Sequence, residues 1–110
     1  MKKSNHEDLV VDFSDERAEE IIGKHILVGI THFGHEDEVL ELDQYHGVVV
    51  RASIADGIVI REESGEIRTL PPDLSSIRTA CSGSYRLKKA GEIVNNPDLM
   101  SVWSIYPPKH

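Results

Sequence analysis

Ile26-Leu-Val-Gly-Ile30, Val48-Val-Val50 and Gly57-Ile-Val-Ile60 all fall within one stretch, Lys24 to Leu70, and that stretch decides the fold. The three runs are rich in β-branched residues and are separated by polar turns at Gly34-His-Glu-Asp-Glu38, Ala55-Asp-Gly57 and Ser64-Gly65. β-Branched runs bounded by Gly, Asp and Ser read as consecutive antiparallel strands. Leu70-Pro-Pro-Asp73 closes the stretch, because two prolines donate no ladder hydrogen bond.

The first hairpin sets the register from which the functional reading follows. A loop over Gly34 to Glu38 places Phe33 opposite Val39, and an unbroken ladder then sets His46 opposite Ile26 and His32 opposite Leu40. Ile26, Val28 and Ile30 share a face with Leu40 and Leu42 in that pairing. The second strand runs from Val39 to about Ser53, with Gly47 as the point where it bends. Several strands are apolar on both parities, as in Ile26-Leu27-Val28. One face therefore fills a core, and the other is to be covered by the helix, the N-terminal arm or a second subunit, which would make a homodimer.

Working outward, Ser14 is a helix N-cap, Asp15 and Glu16 suit the positive end of the dipole, and Gly23 is the stop. Phe13, ahead of the cap, is placed to staple against Ala18. Asp73 caps a single turn through Ile77. Tyr85-Arg-Leu87, Glu92-Ile-Val94 and Val102-Trp-Ser-Ile-Tyr106 are short apolar runs. Between the last two, Asn95-Asn-Pro-Asp98 is a turn. The expected architecture is mainly β: a small antiparallel SH3-like barrel of five to six strands with one short N-terminal helix. Residues 1–12 form an N-terminal arm in which Leu9-Val-Val11 is the apolar element, 13–106 the single domain, and 107–110 a tail.

Composition bounds the function. The net charge of −7 disfavours nucleic acid, which needs a basic footprint, and favours a basic partner protein. No apolar run reaches the roughly 20 residues of a membrane helix. One cysteine, Cys81, excludes an internal disulfide, and with no export signal the expected compartment is the reducing cytoplasm.

Four histidines, His25, His32, His35 and His46, lie in or beside the first hairpin, and His32-x-x-His35 suggests a zinc site. The unbroken register separates them: His46 and His25 fall on opposite faces and His32 lies far along the ladder, so no metal is expected. The polar anomaly is instead Gln44 and His46, which share the parity of Leu40, Leu42, Val48 and Val50. Two polar side chains on an apolar face form a pocket or emerge where the strand bends. Gln44, Tyr45 and His46, with Trp103 as the largest aromatic, are the candidate ligand- or partner-binding residues. Cys81 and Ser82-Gly-Ser84 match no nucleophile elbow or phosphate loop, so neither a catalytic residue nor a cofactor is expected.

Several segments taken together carry a resemblance. They are Gly-Lys-x-Ile-Leu-Val-Gly-Ile-Thr (23–31), Gln-Tyr-His-Gly-Val-Val-Val (44–50), Asp-Gly-Ile-Val-Ile (56–60), Leu-Pro-Pro-Asp (70–73), Gly-Ser-Tyr-Arg-Leu (83–87), Gly-Glu-x-Val (91–94) and Asn-Pro-Asp (96–98) before a tryptophan. Over residues 23–106 the chain resembles a family of small bacterial proteins of uncharacterised function. The resemblance implies a bacterial cytoplasmic protein and supplies no activity and no catalytic residue. The expected occupation is a non-catalytic interaction module, accessory or immunity-type, bound to a basic partner. The alternatives are a small-ligand or enzymatic pocket around Gln44 and His46, and an Sm-like RNA-binding oligomer.

Overall fold

A computed structural model describes residues 13–88 and 91–108. The expected arm over residues 1–12 and its Leu9-Val-Val11 element lie outside the described residues, as does the end of the tail. Among these residues one α-helix, α1 (Asp15–Ile21), precedes eight strands: β1 (His25–Phe33), β2 (Val39–Ser53), β3 (Gly57–Glu62), β4 (Ile67–Leu70), β5 (Ile77–Thr79), β6 (Ser84–Arg86), β7 (Ile93–Asn95) and β8 (Leu99–Ile105).

Ser14 caps α1 as its sequence predicts, accepting the Arg17 N–H through Oγ at 3.2 Å. The helix ends at Ile21, and Gly23 in the turn that follows takes a φ of 90°, which suits a residue without Cβ. Backbone bonds from Gly23 to the Val49 carbonyl and from Val49 to the Lys24 carbonyl pin that end to β2. Phe13 and Ile21 pack on the main core, and Ala18 is buried. Asp73 caps the short 3₁₀ turn Leu74–Ser76, and β4 ends at Leu70, immediately before the prolines.

The fold is mainly β, but its sheet is open. Six strands run in the order β4-β3-β2-β1-β8-β5, and β6 and β7 form a separate hairpin. The expected closed barrel of five to six strands is corrected on both counts. Closure fails because the edge strands β4 and β5 do not pair, and β5 spans only three residues. At the centre, β1 runs antiparallel to β2 and parallel to β8.

The register is also corrected. Phe33 does face Val39, but a bulge follows at once: His32 pairs with Glu41, and Leu40 is the extra residue. Every later pair moves by one, so His46 faces Leu27 and Tyr45 faces Val28. A one-residue slip in a strand exchanges its two faces. Odd-numbered Tyr45 and Val49 therefore enter the main core with Ile26, Val28, Ile58, Ile60, Leu70, Leu74 and Leu99. Gln44, His46 and Val48 turn to the opposite face.

That second face is not the one on which the helix packs. The β6–β7 hairpin lies across it like a strap, and Leu87 and Val94 close over Leu27 with Tyr85 and Met100 at the border. Two apolar layers thus sandwich β1, which explains why Ile26, Leu27 and Val28 are all buried.

Candidate functional site

The bulge brings together what a regular ladder separates. His25 pairs with Val48, one step along from the Leu27–His46 pair, so the two imidazoles are diagonal neighbours on the second face. His25 Nε2 lies 2.9 Å from His46 Nδ1, and His46 Nε2 lies 2.6 Å from Glu92 Oε2, at the foot of the strap. A carboxylate only accepts, so His46 Nε2 carries its proton. In the neutral ring His46 Nδ1 then accepts from His25 Nε2–H. The protons form a directed chain from His25 through His46 to Glu92.

The rings meet head-on. Their centroids are 5.1 Å apart, exceeding the nitrogen separation by nearly two ring radii. Such nitrogens point at each other, as in an N–H···N bond, rather than converging on a third atom. Among the described residues no group of three or more His, Cys, Asp or Glu is placed to hold a metal. Burial holds the His25 pKa below its ordinary value and the neighbouring His46 lowers it further, against an opposing pull from Asp98.

Gln44 is tied to the same strap. Its Oε1 accepts the Lys88 backbone N–H at 2.6 Å. Gln44 and His46 were expected on the apolar inward face; they stand instead on the second face and bind the strap through polar contacts. Beside them opens a shallow groove of about 520 Å³ lined by His25, His46, Val48, Arg61, Glu62 and Glu63.

Tyr45 and Trp103 lie on the other side of the sheet. Tyr45 is buried beneath Arg68, whose guanidinium carbon sits 4.0 Å from the ring centroid. Burial pushes its phenol up to about 12. Arg68 also bonds Asp43 at 2.6 Å and Glu62 at 3.3 Å. Trp103 packs against the main core, and its Nε1–H donates to Ser101 Oγ at 2.8 Å. The four candidates thus divide into two pairs on opposite faces. Glu92 and Arg68 complete these groups and were missed, since each reaches its partners from another strand or from the strap, whereas His25, set on the opposite face by the unbroken ladder, meets His46 through the bulge.

A different surface is built at the β1–β2 loop. Val39 and Leu40 are 61% and 66% exposed, because the bulge turns Leu40 out of the ladder. Glu36, Asp37, Glu38 and Glu41, all exposed, flank them in sequence. Asp37 takes a left-handed conformation at the tip, with φ 64°, and Glu38 accepts the Glu36 N–H. Cys81 is exposed. No described helix is long and apolar enough to cross a membrane.

Comparison with protein-family models, curated proteins and solved structures finds no match to this chain.

Proposed function

We propose that this chain is a non-catalytic interaction module of the bacterial cytoplasm, an accessory or immunity-type protein that covers a basic, partly apolar surface on another protein. The observation that carries this reading is the β1–β2 tip, where two exposed aliphatic side chains, Val39 and Leu40, are flanked in sequence by four exposed acids. An apolar centre with a charged rim is the anatomy of a protein interface. The acids select a partner whose rim carries Lys and Arg, and they speed encounter at low salt.

The experiment is affinity capture from the native bacterium with the wild-type chain and with Leu40→Ser and Glu36→Lys/Glu41→Lys variants. Each substituted residue is exposed, so all three proteins should melt alike. The wild type is expected to recover a basic protein in a salt-sensitive manner, and both variants should recover roughly tenfold less, the scale of one interface hot spot. Recovery of the same proteins by all three, or of none by the wild type, overturns the proposal.

A second reading, a small-ligand site beside His25 and His46, is favoured by the groove that the two imidazoles flank. Its test is whether any compound from a fragment set shifts the His25 and His46 NMR signals while leaving His32 still.

A further inference from the structure

The outer edge of β8 is half covered. β5 pairs with Leu99, Met100 and Ser101 and goes no further, whereas β8 continues along β1 to Ile105. From Val102 onward the side of β8 away from β1 has no strand beside it among the described residues. Pro107 and Pro108 then end any possible ladder. No described strand covers the backbone edge of the five residues Val102 to Tyr106, and the 3₁₀ turn Leu74–Ser76 borders that window at Val102.

Edges of this kind are usually defended by charge, bulge or proline. Two other open edges here carry those defences. The free front of β2 has the Leu40 bulge, Glu41 and Asp43; β4 has Arg68 and runs into Pro71. The Val102–Tyr106 window runs into Pro107 but has no bulge. It carries no charged side chain, and Val102, Ile105 and Tyr106 are 67%, 45% and 58% exposed.

We infer that this edge pairs with the same edge of a second copy, antiparallel and centred on Ser104. A two-fold axis normal to the sheet keeps each face on its own side, so opposed residues must share parity. Centring on Ser104 is the register that uses the whole window. It sets Trp103 against Ile105 of the second copy and Val102 against Tyr106 of the second copy, two aromatic–β-branched pairs of the kind that stabilise antiparallel ladders. A shift toward β5 collides with that strand, and a shift the other way reaches the prolines.

Charge also selects a second copy as occupant. The chain carries −7, and self-contact through α1 or the β1–β2 tip sets acids against acids. The β8 edge is the neutral stretch at which two acidic chains meet without that repulsion. Val39 and Leu40, proposed above to contact a basic partner, stand on β2 with β1 between them and β8, and the two readings are probed by different variants, so each can fail without the other.

Sedimentation velocity at roughly 100 μM, well above a ten-micromolar Kd, is expected to show a dimer for the wild type and a monomer for Val102→Lys and Ile105→Lys. In a Cys81→Ser background, Ser104→Cys should cross-link between chains with a short bis-maleimide, while Ser64→Cys, on the β3–β4 turn, should not. The cross-link reads the register even if a lysine variant folds poorly. A wild-type monomer at that concentration overturns the inference, as does a dimer that survives both lysines or equal cross-linking at the two cysteine positions.

Discussion

Replacing Gly47 with alanine puts a methyl group into the backbone of the neighbouring strand. Gly47 lies between Ile26 of β1 and Glu62 of β3, on the parity that faces the main core. A Cβ there stands 2.8 Å from the Arg61 carbonyl carbon and 2.9 Å from Ile60 Cγ2, and closer still to the Arg61 oxygen. Two of the three obstacles are main chain, which cannot swing aside as a long side chain can, so β2 and β3 must separate. Overpacking of this sort costs about 1–3 kcal/mol. The reduced freedom of alanine in the unfolded chain offsets roughly 0.4–1 kcal/mol of that. The net loss is then about 1–2 kcal/mol, or a melting point lower by roughly 5–15 °C for a domain of this size. Gly29→Ala is the internal control. Gly29 also sits in a central strand, but nothing lies within 4 Å of its Cβ position. Only the unfolded-state effect operates there, and that variant should melt at or slightly above wild type. The assay is thermal unfolding of the three proteins followed in parallel by circular dichroism. If Gly47→Ala melts with or above wild type, or Gly29→Ala falls as far as Gly47→Ala, the close approach of β3 to β2 is not what demands glycine.

The remaining expectations concern charge. Arg68→Met should destabilise by roughly 1–3 kcal/mol in urea, a buried-pair cost reduced for partial exposure, because Asp43 and Glu62 lose their shared cation. Adding Glu62→Gln to that variant should recover part of the loss, and no recovery would place the cost in the Tyr45 stack instead. The Tyr45 phenol, raised from 10.0 to about 12, stays protonated in the fold after an unfolded tyrosine has ionised. Its contribution is intact below pH 10 and lost as pH rises toward 12, about 3 kcal/mol in all. Tyrosinate absorbance of Tyr45 appearing near pH 10, isolated by comparison with Tyr45→Phe, would contradict that burial. His25 has the opposite sign. With its folded pKa below 6.5, the unfolded chain binds the proton first, so stability falls as pH drops below 6.5. An NMR titration of the His25 ring should give a midpoint under 6.5, and a midpoint at or above it would refute the buried, His46-facing placement.

Local features were legible in the sequence where local chemistry decides them. The Ser14 cap, the Gly23 stop, the span of β2, the start of β3 at Gly57 and the halt before Pro71 each follow from a residue acting on its own backbone. The site was misread at Leu40. A regular ladder from Phe33 and Val39 assigns Gln44 and His46 to the core, and one extra residue reverses the assignment. A signal was present: polar Gln44 and His46 interrupt the parity of Leu42 and Val48, while Tyr45, Gly47 and Val49 keep the other parity free of charge over the same span. Giving that second parity to the core, which a bulge permits, is more economical than burying two polar groups. The strap and the parallel β1–β8 pairing had no such signal. Both depend on contacts between residues far apart in the chain, such as the His25 N–H on the Asp98 carboxylate, and no short window of sequence holds both ends.

That long pairing has a cost in time. The two strands flanking β1 come from its immediate successor and from a segment more than 70 residues later, with His25 and Asp98 separated by 73 positions. At about 5–20 residues per second, β1 leaves the ribosome roughly 4–15 s before β8 can join it. During that interval the β1–β2 hairpin shows apolar side chains on both faces and an unpaired edge along the strand destined for the middle of the sheet. Those faces and that edge are the surfaces a chaperone would shield during synthesis. Its refolding from denaturant should be limited by the closure of this one large loop, and not by the local hairpins.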